Sequence, residues 1–353
     1  MTFTDHDVWS RLKNTRKPVV LYGMGNGADK ILSVFSRCGI ECAGVFASDG
    51  FARGNLFHGF PVLDYSAICE RLNGDFCVVV SFASSREEVI ANVLRIAAER
   101  ELYIPDLPVA GDEIWTAEYA SEHADKLSAA RALLCDARSR EVFDLVCEAR
   151  TTGRTEPLFA SADPEDAVWS EILRPERYAS YADLGAYTGD TVRLLASKSE
   201  ALSRVYAVEP DRRSFAKLQA YLEQSGLDFT AVHAAAWDSD EVLLPFEDGA
   251  GRGSVLGKGK AETATAALDS IVGCGRVDYI KYDVEGAEYE ALEGSRRTIE
   301  RCRPDLRVAI YHRPGDIFRL TLFVHRLLPG HKLFLRRARS FPSWDLDLFA
   351  VGG

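Results

Sequence analysis

Residues 178–211 read YASYADLGAYTGDTVRLLASKSEALSRVYAVEPD, and this stretch decides the fold. A short apolar run ends in Asp183-Leu184-Gly185-Ala186-Tyr187-Thr188-Gly189-Asp190. Val192, Leu194, Leu195 and Leu202 then recur at helical spacing. A second apolar run, 205–208, closes on Glu209-Pro210. Strand, glycine turn, helix, strand and acid in that order form a parallel βαβ unit of the kind that holds a nucleoside. Gly185 and Gly189 have no Cβ, so the backbone there can come close to a ligand. Glu209 stands at the carboxyl end of the second strand, where a carboxylate can accept two hydrogen bonds from a ribose diol.

The spacing of the turn distinguishes two ligands. A dinucleotide fingerprint is G-x-G-x-x-G; here the pattern is D-x-G-x-x-x-G, starting at Asp183. S-adenosylmethionine carries no phosphate, so it needs no pyrophosphate cradle. Its zwitterionic methionine end can be held by an acid and by backbone carbonyls. Asp183, Gly185, Ala186, Tyr187, Gly189, Asp190 and Thr191 are therefore the candidates for that end, and Glu209 with Pro210 for the ribose. The structural alternative is an ordinary βα turn followed by a capped helix.

Working outward, 278–288 reads DYIKYDVEGAE, a further strand-to-helix junction with an acidic tip. With it the chain resembles the FkbM-family methyltransferases. The matching pieces are YADLGAYTGDTV (181–192), VYAVEPD (205–211), AAAWD (234–238), TAALDSIVG (265–273), DYIKYDVEGAEYEALEG (278–294) and VAIYHRPGDI (308–317). They cover about half the chain, and YDVEGAE is the most specific. The resemblance implies an α/β, class I (Rossmann-like) methyltransferase sheet of seven strands with one reversed. It also implies O-methylation of a hydroxyl, often on a sugar or a polyketide-type metabolite.

Asp283 closes the strand beside the cofactor strand, so it should face the methyl group, because ligands of open α/β sheets sit beyond the carboxyl ends of strands. Glu285 and Glu288 open the next helix, where negative charge is favoured by the helix dipole alone. His312 follows the strand 306–310 and should emerge beside Asp283; a neutral imidazole there can take a hydroxyl proton. Asp283, His312 and Glu285 are the candidate catalytic residues. In the alternative reading the three hold a divalent metal; the metal-free version is preferred because no ligand spacing is distinctive. Ala235, Ala236 and Trp237 border the expected adenine position, the small side chains leaving room for a flat ring. Trp237 either stacks on that ring or plugs the core. His233 reads as a core or sheet residue.

The chain has 353 residues and is 47% hydrophobic, enough for two domains. The formal net charge of −11 argues against nucleic acid as a main partner. No apolar run is long enough for a membrane span, and the first residues lack a signal-peptide core, so a cytoplasmic protein is expected. Eight cysteines without C-x-x-C spacing read as small core residues.

Residues 1–111 are expected to form a smaller Rossmann-like domain of nucleotide or sugar-nucleotide type. Alternating strands (18–22, 40–46, 76–82) and helices indicate a parallel sheet. Gly23, Gly25 and Ala28 fit G-x-G-x-x-[GA], and Asp49 sits near the end of the second strand. The turn suits a dinucleotide or a sugar nucleotide, yet no acid or base for hydride transfer accompanies it, and glycine turns also occur without any ligand. Residues 112–178 read as a helical connector, a helix pair that covers the site or forms a dimer seam, with a loop over 151–166. Trp169, Ile172 and Leu173 form an apolar patch before the central stretch. The methyltransferase domain spans 179–353. Within it the glycine-rich loop 249–259 is a lid or a hairpin, and Arg336, Arg337 and Arg339 read as a solvated basic face.

The sequence thus points to an S-adenosylmethionine-dependent O-methyltransferase acting on a small-molecule or glycan hydroxyl, with homo-oligomerisation left open. A non-catalytic module binding cofactor or sugar nucleotide is the alternative, and an NAD-dependent oxidoreductase a more remote one.

Overall fold

A computed structural model describes residues 7–48, 51–52, 54–246 and 261–353. The amino-terminal unit is a six-stranded sheet. Its strands are β1 (Val19–Tyr22), β2 (Cys42–Phe46), β3 (Leu56–Phe57), β4 (Phe60–Leu63), β5 (Cys77–Val80) and β6 (Glu101–Tyr103), in the order β3-β4-β2-β1-β5-β6. All pair in parallel except β3, which turns back on β4. The runs VVLY and CVVV are buried throughout, as strands covered on both faces must be. One face packs on the helix Asn26–Cys38 through Ile31, Val34 and Phe35, together with Val8, Trp9 and Leu12. The other packs on the helix Glu87–Glu99 through Ile90, Val93 and Ile96. That helix, β6 and the helix Val8–Asn14 were not legible from the motif.

Two glycines of this unit's turn are set by packing, while Gly25, at φ +97°, has open space beside it. A Cβ at Gly27 would lie 2.1 Å from the Ser81 carbonyl oxygen, and one at Gly23 would lie 2.6 Å from the Phe82 ring. Both glycines make room for the chain leaving β5. Asp49 lies outside the described residues.

The connector holds the helices Ala117–Glu122, Ala124–Ala132, Ala137–Thr152 and Thr155–Ala160. The expected loop over 151–166 is mostly helical at its start, because Gly153, in a left-handed conformation, ends one helix and lets the next begin at once. These helices do more than bridge: Leu127, Ala130, Val142, Phe143 and Val146 share one core with Ile280, Leu306 and Leu348 of the second sheet.

That second sheet has seven strands. In chain order the carboxyl-terminal strands are β7 (Ser180–Leu184), β8 (Arg204–Val208), β9 (Asp228–Val232), β10 (Ala235–Ala236), β11 (Leu243–Phe246), β12 (Ala261–Ala266), β13 (Tyr279–Tyr282), β14 (Asp305–Ala309), β15 (Lys332–Arg337) and β16 (Leu346–Val351). The large sheet runs β15-β16-β14-β13-β7-β8-β9, and β16 alone is reversed. The fold class is as the sequence implied.

Several local expectations change. The strand expected over 229–235 stops at Val232; Ala235 and Ala236 pair with β12 in a separate three-stranded sheet with β11. His233 lies between the two and is exposed, its ring nitrogen 3.0 Å from the Pro210 carbonyl oxygen. Residues 261–266 are a strand, and the glycines at 249–259 lie outside the described residues. Arg336 and Arg337 are buried rather than solvated, since the connector covers β15. Among the described residues no helix is long and apolar enough to cross a membrane. All eight cysteines are free; Cys77 and Cys147 are buried, whereas Cys135 and Cys274 are exposed.

Candidate active site

A cavity of about 1020 Å³ opens at the carboxyl ends of the large sheet, where such sheets bind ligands. Three segments of chain build it. The carboxyl-terminal domain supplies Gly185, Tyr187, Glu209, Ala235, Lys281 and Asp283, the connector Phe159 and Trp169, and the amino-terminal domain Ser85 and Glu87. The amino-terminal domain is held there by reciprocal backbone bonds between Ser84 and Phe341, at 2.9 and 3.0 Å, and by the Phe82 ring against that of Phe341.

The turn after β7 brings the cofactor candidates together. Gly185 has φ +83°, and a Cβ on it would lie 1.9 Å from the Asp283 carbonyl oxygen. The glycine therefore serves to let the acidic tip cross the turn. Glu209 is buried, and both its oxygens are engaged: Tyr187 N–H donates to Oε2 at 2.7 Å, and Asp211 N–H to Oε1 at 2.8 Å. Burial pushes its carboxyl up to about 7, against the pull of those two N–H groups. Asp183 is fully buried, and its Oδ2 has no hydrogen-bond partner within the protein. Burial raises the carboxyl, while Lys281 opposes the shift.

Gly185, Tyr187, Asp190, Thr191, Glu209, Pro210, Ala235 and Ala236 line the cavity. Ala186, Gly189, Asp183 and Trp237 stand behind that wall; Trp237 packs on the core. Phe246 of β11, which the sequence reading passed over, lines the cavity beside the two alanines. Three non-glycine residues in left-handed backbone also line it: Tyr187 (φ 47°), Glu285 (φ 55°) and Asp345 (φ 56°). Strained backbone of this kind gathers at functional sites.

The acidic tip is a charged cluster. Asp283 Oδ2 lies 3.6 Å from Lys281 Nζ, and Oδ1 accepts from the Tyr311 hydroxyl at 3.3 Å. Burial acts to raise the Asp283 carboxyl, but Lys281, His312 and Arg307 outweigh it and hold the group below its ordinary value. Glu288 is buried; its Oε1 accepts from Val284 N–H at 2.9 Å and Gly286 N–H at 3.3 Å, so it fastens the tip.

His312 does emerge beside Asp283 but has no solvent contact. Its Nδ1 is 2.9 Å from Glu288 Oε1, near enough for an ion pair though out of line for a hydrogen bond. Its Nε2 is 3.6 Å from both Asp283 and Glu285. Desolvation works against charge on the ring, but Glu288, Glu285 and Asp283 together lift its pKa to about 10. Its carbonyl accepts from Val109 and Ala110 N–H, at 2.9 and 3.0 Å. The end of the amino-terminal domain thus braces the tip. Among the described residues no group of three or more His, Cys, Asp or Glu is arranged to hold a metal ion.

Beneath the cavity the sheet carries charge in place of apolar side chains. Lys281 is in register with Asp183 on one side and with Arg307 on the other. Arg307 donates to Asp347 at 2.7 Å, Asp347 is in register with Arg336, and Arg336 donates to Asp136 at 2.8 Å. Such a ladder is costly unless each charge has a partner. The signal was present as single charges within apolar strands, YIKY and DLRVA, but only the register shows that they meet.

Residues 183–338 match the methyltransferase FkbM domain family. They form an FkbM methyltransferase domain. A crystal structure of methyltransferase FkbM from Methylobacillus flagellatus KT matches with a TM-score of 0.75 at 19% identity, covering 97% of this chain and 92% of that one. The shared fold therefore takes in the amino-terminal unit and the connector as well as the FkbM domain. A putative O-methyltransferase from Klebsiella pneumoniae (TM-score 0.33, 14% identity, 65% of this chain and 97% of that one) and a fibrillarin from Aeropyrum pernix in complex with S-adenosyl-L-methionine (0.32, 13%, 51% and 70%) are too distant to add to this. No curated protein matches the sequence.

Proposed function

We propose that the chain is an S-adenosylmethionine-dependent O-methyltransferase whose acceptor is a hydroxyl of a sugar, glycan or secondary metabolite. The observation that carries this reading is the pairing, in one cavity, of a nucleoside-type half (Tyr187, Glu209, Ala235, Ala236) with an ionic half (Lys281, Asp283, Arg307) at adjacent strand ends. The first half fits the cofactor on its donor set: Glu209, at the cavity wall, offers carboxylate oxygens to a ribose.

Bound there, S-adenosylmethionine supplies an electrophilic methyl group. The protein's share is alignment and proton removal, and alignment alone is worth several kcal/mol. The sequence reading gave the proton to His312. Its carboxylate surroundings favour a ring that already holds its protons at neutral pH. His312 is then the cation that orients Asp283 and Glu285. Asp283, ionised and at the cavity, accepts the hydrogen bond of the acceptor hydroxyl and takes its proton. The amino-terminal domain, through Ser85 and Glu87, shapes the acceptor side of the cavity.

Melting curves with S-adenosylhomocysteine, NAD and UDP-sugars in turn test this reading. A rise with S-adenosylhomocysteine alone, or with it and a sugar nucleotide, agrees. A rise with NAD alone would sink it in favour of an oxidoreductase.

A further inference from the structure

Lys281 stands at the centre of the site. It lies mid-strand in β13 and is buried, with 5% exposure. Its Nζ is 3.3 Å from Asp183 Oδ1, donates to the Gly185 carbonyl at 3.2 Å, and is 3.6 Å from Asp283 Oδ2. Those three acceptors belong to different halves of the site: Asp183 and Gly185 to the cofactor turn, Asp283 to the acceptor side. A buried ammonium group in a continuous apolar strand is expensive. An apolar residue would fill the strand as well, unless the charge is needed.

We propose that Lys281 is a positioning residue that locks the methionine end of the cofactor site to the acceptor carboxylate. By occupying Asp183 Oδ1 and the Gly185 carbonyl it fixes the buried carboxylate and, through Gly185, the backbone of the turn that lines the cavity. Through its third contact it keeps Asp283 ionised and turned to the same point. The charged groups facing Lys281 are Asp183 from β7, Asp283 from the end of its own strand and Arg307 from β14; Asp190 and Thr191 face Asp183 from the following helix. A long cationic side chain with several donors is needed, since one group serves three acceptors.

This inference rests on the cofactor reading above, and the experiment separates the two. Binding of S-adenosylhomocysteine is measured by calorimetry on the full chain for wild type, Lys281→Arg, Lys281→Met and the double variant Asp183→Asn/Lys281→Met. The double variant carries no unpaired buried carboxylate, so it keeps the test open if Lys281→Met does not fold. Expected is a loss of roughly tenfold or more for Lys281→Met and the double variant, the scale of a lost charge-assisted hydrogen bond, with substantial recovery in Lys281→Arg. In Lys281→Met the affinity-against-pH curve should also move to higher pH than in wild type, because Asp183 has lost its counter-ion. Wild-type affinity in the double variant would overturn the proposal, since Lys281 would then only neutralise Asp183. So would an unchanged affinity and pH curve in folded Lys281→Met. A wild-type protein that does not bind S-adenosylhomocysteine would overturn the cofactor reading itself, and this proposal with it.

Discussion

The sharpest consequence of the structure concerns Glu209 and pH. Its carboxyl ordinarily titrates at 4.5 and is pushed up to about 7 in the folded chain, first of all by burial. That is a shift of 7 − 4.5, about 2.5 pH units, or on the order of 3 kcal/mol of resistance to ionisation. A ribose diol donates two hydrogen bonds, and only the ionised carboxylate can accept both while still holding Tyr187 and Asp211 N–H. Binding therefore selects the ionised form. Above about pH 7 the affinity for S-adenosylhomocysteine should be flat; below it, affinity should fall towards tenfold per pH unit as each complex must first expel a proton. The same shift has an opposite sign for the empty protein. A carboxyl raised on folding contributes stability that is fully present below about pH 4.5 and is lost as pH rises through about 7. Glu209→Gln should thus weaken binding above pH 7, abolish the acid limb of the binding curve, and leave the empty protein no less stable at alkaline pH. Calorimetric titrations across the neutral range, paired with melting curves, read all three. A wild-type affinity that stays constant from about pH 5 to 8 would falsify the reasoning, whether the error lay in the pKa or in the ribose contact.

Two further outcomes follow from packing and charge. Gly185→Ala should abolish S-adenosylhomocysteine binding and lower the melting temperature, because the new methyl would strike the Asp283 carbonyl from a left-handed backbone; a folded variant with normal affinity would show that the turn is not where the cofactor sits. His312→Ala leaves Glu288 buried without its cation, which should cost about 3–5 kcal/mol in denaturant unfolding at neutral pH. In wild type the contribution of His312, whose pKa is raised from 6.5 to about 10, is present in full below about pH 6.5 and lost as pH rises through about 10, so the variant should lack that alkaline decline. Turnover that survives in a folded His312 variant would agree with Asp283 as the proton acceptor, and turnover that survives in a folded Asp283→Asn variant would return that role to His312.

Much of this protein is legible in its sequence. The doubly wound sheet follows from apolar runs alternating with amphipathic segments, and the places of Gly185, Glu209, Asp283 and His312 at strand ends follow from where each run stops. Local periodicity sets those features, so one dimension is enough. What the sequence could not settle is which charges meet. Lys281, Arg307, Asp347 and Arg336 come from four separate strands and join only because β13, β14, β16 and β15 lie side by side in one sheet. The burial that lifts Glu209, and the three carboxylates that keep His312 charged, depend on neighbours from other strands and on a brace from residues 109–110. A side chain's identity names the chemistry it can perform; its surroundings decide the protonation state in which it performs it, and those surroundings exist only once the chain has folded.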